Sequence, residues 1–122
     1  MSDRAIAAAL AALVFATRVP FAAKTLWAWD SVLYARALEQ GFHVGVDLAD
    51  QRPHPPGYLF YVGAAAMARL LTRDSNAALV IVSVLASALT AAAVYLLCRR
   101  YADRALAVVV ALGAATAPLA WT

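Results

Sequence analysis

Charge is the first thing this sequence of 122 residues has little of: only 14% is charged, against 65% hydrophobic residues and a mean hydropathy of +0.74. A soluble domain is about half apolar and about one-quarter charged. So little polar surface could not cover so much apolar side chain in water, which excludes an ordinary soluble enzyme and a disordered tail. Cysteine is scarcer still: Cys98 stands alone, so no intrachain disulfide can form and a disulfide-stapled secreted domain is excluded. No glycine-rich phosphate loop, CxxC pair, HExxH or nucleophile elbow is present, so P-loop and metal-centred chemistry lack a motif and neither a metal nor a cofactor is expected. Concentrated positive charge is missing too. The ten Lys and Arg outnumber the seven acidic residues, but they are scattered between apolar blocks like helix-end anchors, and no nucleic-acid partner is expected. What remains is a membrane-embedded protein.

Four apolar blocks predict an all-α fold of about four membrane helices, at about 5–23, 57–72, 77–98 and 105–121. Ala77–Cys98 is the strongest: it carries no charge, and Arg99-Arg100 close it. That is long enough to span with some tilt. Ser83, Ala86, Ser87 and Thr90 recur along it at helical spacing and read as packing residues that let a neighbouring helix approach. The first block is interrupted by Arg18 and Pro20, and its uncharged part, Ala5–Thr17, is shorter than the ~20 residues of a span. It reads either as a signal peptide or as an uncleaved first span whose Arg18 snorkels to the interface. In the second block Arg69 lies within a turn of the end and is expected to snorkel likewise. The fourth runs to Thr122 with no polar residues after it, so the 122 residues are expected to be one membrane module, the N-terminal piece of a longer multi-pass protein. If all four blocks span, charge counting weakly favours an outside N-terminus, because Arg99, Arg100 and Arg104 then lie inside.

Between the first two blocks lies the only long polar interval, Lys24–Pro56, which holds both histidines. Trp27–Gly41 predicts a short helix at about 30–41, with Asp30 as N-cap and Gly41 as C-terminal stop. Leu33, Tyr34, Ala37 and Leu38 share one face; Arg36, Glu39 and Gln40 lie on the other. With Trp27 and Trp29 in front, the pattern suits a helix lying in the membrane surface. Asp30 then has two readings, a cap worth roughly 1 kcal/mol or a carboxylate placed at the bilayer surface to accept a proton or bind a cation. Further on, Arg52-Pro-His-Pro-Pro-Gly-Tyr58 fixes His54 in extended backbone ahead of the second block, a setting pre-organised to touch a ligand.

An apolar span, Trp29-Asp30-Ser31 opening a short helix that ends at Gly41, and His54-Pro-Pro-Gly-Tyr58 at the head of the next helix resemble the N-terminal end of GT-C membrane glycosyltransferases. The likeness is to the protein O-mannosyltransferase, family 39 type, including bacterial relatives with an HPPGYP signature. Val94–Tyr101 and Ala115–Pro118 extend it over nearly the whole chain. The resemblance implies a multi-pass protein of the inner or plasma membrane, with a cytoplasmic N-terminus and the first loop on the non-cytoplasmic side. It further implies transfer of a sugar, possibly of the mannose kind, from a polyprenyl-phosphate donor to a hydroxyl of a protein or glycan acceptor. Asp30 would be the catalytic base. From their position, Arg52 and His54 would face the donor phosphate, by charge and hydrogen bond respectively, and Tyr58 is grouped with them as a substrate-binding residue. Two departures stand out: Ser31 follows Asp30 where many members carry an acidic pair, and Leu59 replaces the second proline of HPPGYP. The implied orientation opposes the charge count and is preferred to it, because a 13-residue uncharged first span is a weak topological signal. The segment by itself is expected to be inactive. Two other classes remain, a small four-helix transporter and a non-catalytic accessory subunit; the former calls for a carboxylate inside the first span, and none stands there.

Overall fold

The computed structural model describes residues 1–26, 29–41 and 59–117, and every regular element among them is helical. Helix α1 covers Asp3–Arg18 and continues as a 3-10 turn over Val19–Phe21; α2 is Trp29–Glu39, α3 Leu59–Thr72, α4 Ser75–Cys98 and α5 Arg104–Thr116. A helix stands in each of the four apolar blocks and in the interval between the first two, while the expected limits at 57–58 and 118–121 lie outside the described residues. Two helices are long and apolar enough to cross a membrane: α1 with its 3-10 turn, 19 residues, and α4, 24 residues. With 14 and 13 residues, α3 and α5 fall short of the ~20 that a span requires. Of the four expected spans, two thus meet the length among the described residues.

Local chemistry sets the helix limits. The side chains of Ser2, Asp74 and Asp103 accept the backbone N–H three residues on, at 3.2, 2.6 and 2.9 Å, so α1, α4 and α5 each start on a hydrogen-bonded cap. After α2 the chain turns at Gly41 with φ +87°, the left-handed stop the sequence predicts. The equivalent stop after α3 is Arg73, at φ +57°, whose N–H reaches the Arg69 carbonyl at 2.8 Å.

The chain divides into two compact units, Met1–Phe21 with Val84–Thr122, and Ala22–Ser83, the boundary falling inside α4. In the first unit α1 presents a single stripe of Ile6, Ala7, Leu10, Val14 and Arg18. Ile6, Ala7 and Leu10 pack with Tyr95 of α4 and Ala107 and Ala111 of α5, and Val14 packs with Ala88 and Ala91. The register makes α1 antiparallel to α4: Asp3 meets Tyr95 and Arg99, while Arg18 meets Ser87. Helix α5 runs back alongside, from Arg104 near Asp3 to Ala115 near Arg18. Alanine dominates these contacts, and its small side chain lets the helix backbones approach closely.

The second unit is built on α2, α3 and the first turns of α4. Ala35, Ala37 and Leu38 of α2 pack with Val62 and Ala65 of α3 and Leu79 of α4, and Tyr34 meets Tyr61 edge to face, 5.3 Å between ring centres. The expected division of α2 holds, with Leu33, Ala37 and Leu38 buried, Tyr34 half-buried, and Arg36, Glu39 and Gln40 exposed. What covers the apolar face differs from expectation: it is α3, and Ala35 is buried there as well. The bare apolar face in this unit is that of α3 instead, where Phe60, Met67, Leu70 and Leu71 are exposed.

Candidate functional site

Asp30 is the one sequence-predicted site residue that the structure describes; Arg52, His54 and Tyr58 lie outside the described residues. Helix α2 begins at Trp29, so Asp30 is the second residue of its first turn rather than the N-cap residue before it. A carboxylate in that position still favours the helix, by about 0.3–1 kcal/mol, through the partial positive charge of the N-terminal N–H groups. Asp30 is exposed and makes no hydrogen bond or ion pair with any described residue.

The opposite end of α2 is tied down by two hydrogen bonds, one from α3 and one from α4. Arg69 of α3 donates from Nη1 to the Leu38 carbonyl at 2.7 Å, and the Ser75 hydroxyl donates to Glu39 Oε1 at 3.1 Å. Tyr61 of α3 links onward to Ser83 at 3.0 Å, and Asn76 donates to the Ala23 carbonyl at 3.0 Å. Fixing one end of an 11-residue helix fixes the direction in which its other end presents Asp30. Arg69 thus does not snorkel. It satisfies a carbonyl in the last turn of α2, which has no partner within its own helix.

Arg18 departs from expectation in the same way. Only 8% exposed, it donates from Nη1 to Ser87 Oγ at 2.6 Å and from Nη2 to the Ala115 carbonyl at 2.9 Å. Ala115 is in the last turn of α5, so a cation meets the negative end of that helix dipole. A charge among apolar helices needs acceptors for its donors, and these two meet Nη1 and Nη2 but not the buried Nε. Ser87 and Ser83 are consequently hydrogen-bonding groups as well as small residues. Close packing on α4 falls to Ala88 and Ala91, and Thr90 donates back to the Ala86 carbonyl at 2.8 Å.

A third polar cluster joins the start of α1, the end of α4 and the start of α5. The Tyr95 hydroxyl donates to Asp3 Oδ1 at 2.9 Å, with Arg99 Nε at 3.3 Å and Arg104 Nη2 at 3.4 Å from the same oxygen. The hydrogen bond to Asp3 makes Arg99 still harder to deprotonate than a free arginine. Sequence reading missed this cluster. Its one local signal is Tyr95 and Arg99 at i, i+4 on a helix end, and the partner Asp3 is remote in the chain. Among the described residues no three His, Cys, Asp or Glu side chains converge as metal ligands would. No family model, curated protein or solved structure matches this chain.

Proposed function

We propose that this chain is part of a membrane glycosyltransferase of the GT-C kind, which moves a sugar from a polyprenyl-phosphate donor to an acceptor hydroxyl with Asp30 as the base. The observation that carries the reading is Asp30 itself: an exposed carboxylate, without a bonded partner among the described residues, in the first turn of a helix whose far end is anchored. In the transfer, Asp30 takes the proton of the acceptor hydroxyl while that oxygen bonds to the anomeric carbon and the bond to the donor phosphate breaks. Arg52 and His54 would meet the phosphate charge that develops on the leaving group, and Tyr58 would line the same place. A polyprenyl donor keeps its tail in the bilayer, so a base at the membrane surface would match a head group presented there.

The chain is taken here as a multi-pass protein of the inner or plasma membrane, with the N-terminus cytoplasmic and Asp30 on the other side. The expected four spans give way in this proposal to α1 and α4 as the crossings among α1–α4. The length and apolar content of these two helices support the membrane reading. So does α4's surface: Ile81, Leu85, Leu89, Leu96 and Leu97 are exposed, whereas the core helix of a soluble protein buries such residues.

The test is transfer of labelled sugar from a polyprenyl-phosphate donor to acceptor hydroxyls in membranes carrying the full gene product. Release of polyprenyl phosphate that depends on the protein is expected. Membranes showing no donor consumption across mannose-, glucose- and arabinose-type donors would remove the transferase assignment.

A further inference from the structure

We infer that the arginines gathered at the end of α4 and at the starts of α1 and α5 form a site for the phosphate of an anionic phospholipid, held by Arg4, Arg100 and Arg104 with Tyr101 beside it at head-group level. The inference rests on the membrane reading above and is independent of the transferase chemistry.

One carboxylate is the hub of the cluster. Asp3 Oδ1 accepts from the Tyr95 hydroxyl at 2.9 Å and meets Arg99 Nε at 3.3 Å and Arg104 Nη2 at 3.4 Å. Arg4 follows Asp3 in the first turn of α1, and Arg100 follows Arg99, so four arginines belong to this end of the unit. Two carboxylates stand against them, and both are already engaged: Asp3 at the hub, and Asp103, whose Oδ1 accepts the Leu106 N–H at 2.9 Å as the cap of α5. Arg99 is occupied within the cluster by Asp3 and the Ala102 carbonyl. Arg4 and Arg100 are exposed and have no side-chain partner among the described residues, while Arg104, though paired with Asp3, keeps 53% of its side chain exposed. Positive charge therefore exceeds negative, and the excess is open to the surroundings.

The helix dipoles sharpen this imbalance. Helices α1 and α5 both begin here, and the start of a helix carries a partial positive charge that favours anions and disfavours cations. Arg4 is the second residue of α1 and Arg104 the first of α5. Cations at two positive helix ends raise the energy of the chain by itself, and an anion bound among them lowers it. A phosphate suits the place because its oxygens accept from more than one guanidinium group at once.

The bilayer is what brings phosphate there. Helices α1 and α4 are the two of spanning length, and the cluster stands at one end of each, the level at which head groups lie. Tyr101, 86% exposed, directly follows the Arg99-Arg100 pair, as suits an aromatic ring at the interface. Leu97 in the last turn of α4 and Leu106 in the first turn of α5 are 59% and 52% exposed, so apolar surface for acyl chains adjoins the guanidinium groups. A soluble phosphate compound would meet the cations and leave these three side chains in water. A phospholipid meets both.

The test uses the full protein in phosphatidylcholine vesicles, with a fluorophore on Ala105→Cys, an exposed position in the first turn of α5, in a Cys98→Ser background. Phosphatidylglycerol bearing a nitroxide is expected to quench several-fold more than the same mole fraction of phosphatidylcholine bearing one. Each of Arg4→Gln and Arg100→Gln should lower that ratio by up to about fivefold, the weight of one arginine beside an anionic surface, and added salt should lower it in the parent protein. Equal quenching by the two lipids in the parent, or a ratio that the double variant leaves unchanged, overturns the inference.

Stability gives a second readout that needs no label. Arg4→Gln removes a cation from a helix start, so the unfolding temperature should rise in nanodiscs of phosphatidylcholine alone and fall in nanodiscs containing phosphatidylglycerol. A shift of the same sign in both overturns the inference. If inorganic phosphate stabilises the detergent-solubilised protein as much as phosphatidylglycerol does, the site holds free phosphate and the lipid assignment falls. Leu89→Cys on α4 with the same fluorophore is the control, expected to be quenched by a nitroxide deep in the acyl chains whichever head group carries it. Its failure would remove the membrane reading itself, a result distinct from failure at the arginines alone.

Discussion

The unit formed by α1, α5 and the second half of α4 and the unit formed by α2, α3 and the first turns of α4 face the same problem in different measure. Each holds an arginine among apolar helices, and each attaches it to a carbonyl in the last turn of a neighbouring helix: Arg18 to Ala115, Arg69 to Leu38. Arg18 is buried and has a second acceptor in Ser87; Arg69 is half-buried and is held by Leu38. The more deeply buried guanidinium has the more acceptors, as the cost of withdrawing donors from water leads one to expect, although neither acceptor meets its Nε. The bare surfaces differ also. In the first unit they lie on α1, α4 and the 13-residue α5, in the second chiefly on α3.

Removing the two arginines tests this contrast most strongly. Arg18→Ala deletes two charge-assisted hydrogen bonds and leaves Ser87 and the Ala115 carbonyl to find other donors in a dry place, for an expected loss of about 3 kcal/mol. Arg69→Ala deletes one such bond in a wetter place and should lose about 1.5 kcal/mol. Thermal unfolding in nanodiscs measures both, and equal losses would break the link between burial and number of acceptors. A smaller effect is expected at the Asp3 cluster. Tyr95→Phe should lower the unfolding temperature, and adding Asp3→Asn should lower it by less than the sum of the single changes, because the two side chains share one hydrogen bond. Full additivity would mean that Tyr95 and Asp3 do not act together.

The two helix stops of the second unit give the smallest effects, of opposite sign. A Cβ at Gly41 would meet nothing within 4 Å, so Gly41→Ala carries only the cost of a left-handed backbone, about 1 kcal/mol. Arg73 bears that cost already at φ +57°, and Arg73→Gly is expected to stabilise by a few tenths of a kcal/mol up to about 1. Chemical or thermal unfolding resolves the pair, and a stabilising Gly41→Ala would contradict the turn geometry.

Helix existence was legible in the sequence because it depends on local pattern. The apolar blocks, Gly41 as stop and the split of α2 into Leu33, Ala37 and Leu38 against Arg36, Glu39 and Gln40 all follow from spacing within a dozen residues. Arg18 and Arg69 were misread for the opposite reason. Their acceptors, Ala115 and Leu38, are 97 and 31 residues away, and one sequence offers no signal for such pairings. Snorkelling is the default for an arginine near a span end only when no neighbouring helix presents its last carbonyls. Asp3 likewise looks like a residue of the polar head until Tyr95 and Arg99 come to it. Asp30 stands two places further into the helix than expected, in the first turn rather than at the cap, and that changes what its substitution should do.

Asp30→Asn in the full protein, with turnover and unfolding measured on the same preparation, tests the central claim most directly. Asn lacks the charge that favours the first turn of α2, so stability should fall by no more than about 1 kcal/mol. If Asp30 is the base, sugar transfer should fall by about 10²-fold or more while donor binding persists, because Asn cannot take the acceptor proton. Near wild-type turnover in Asp30→Asn would contradict the account and leave Asp30 as a charge at a helix terminus and nothing more.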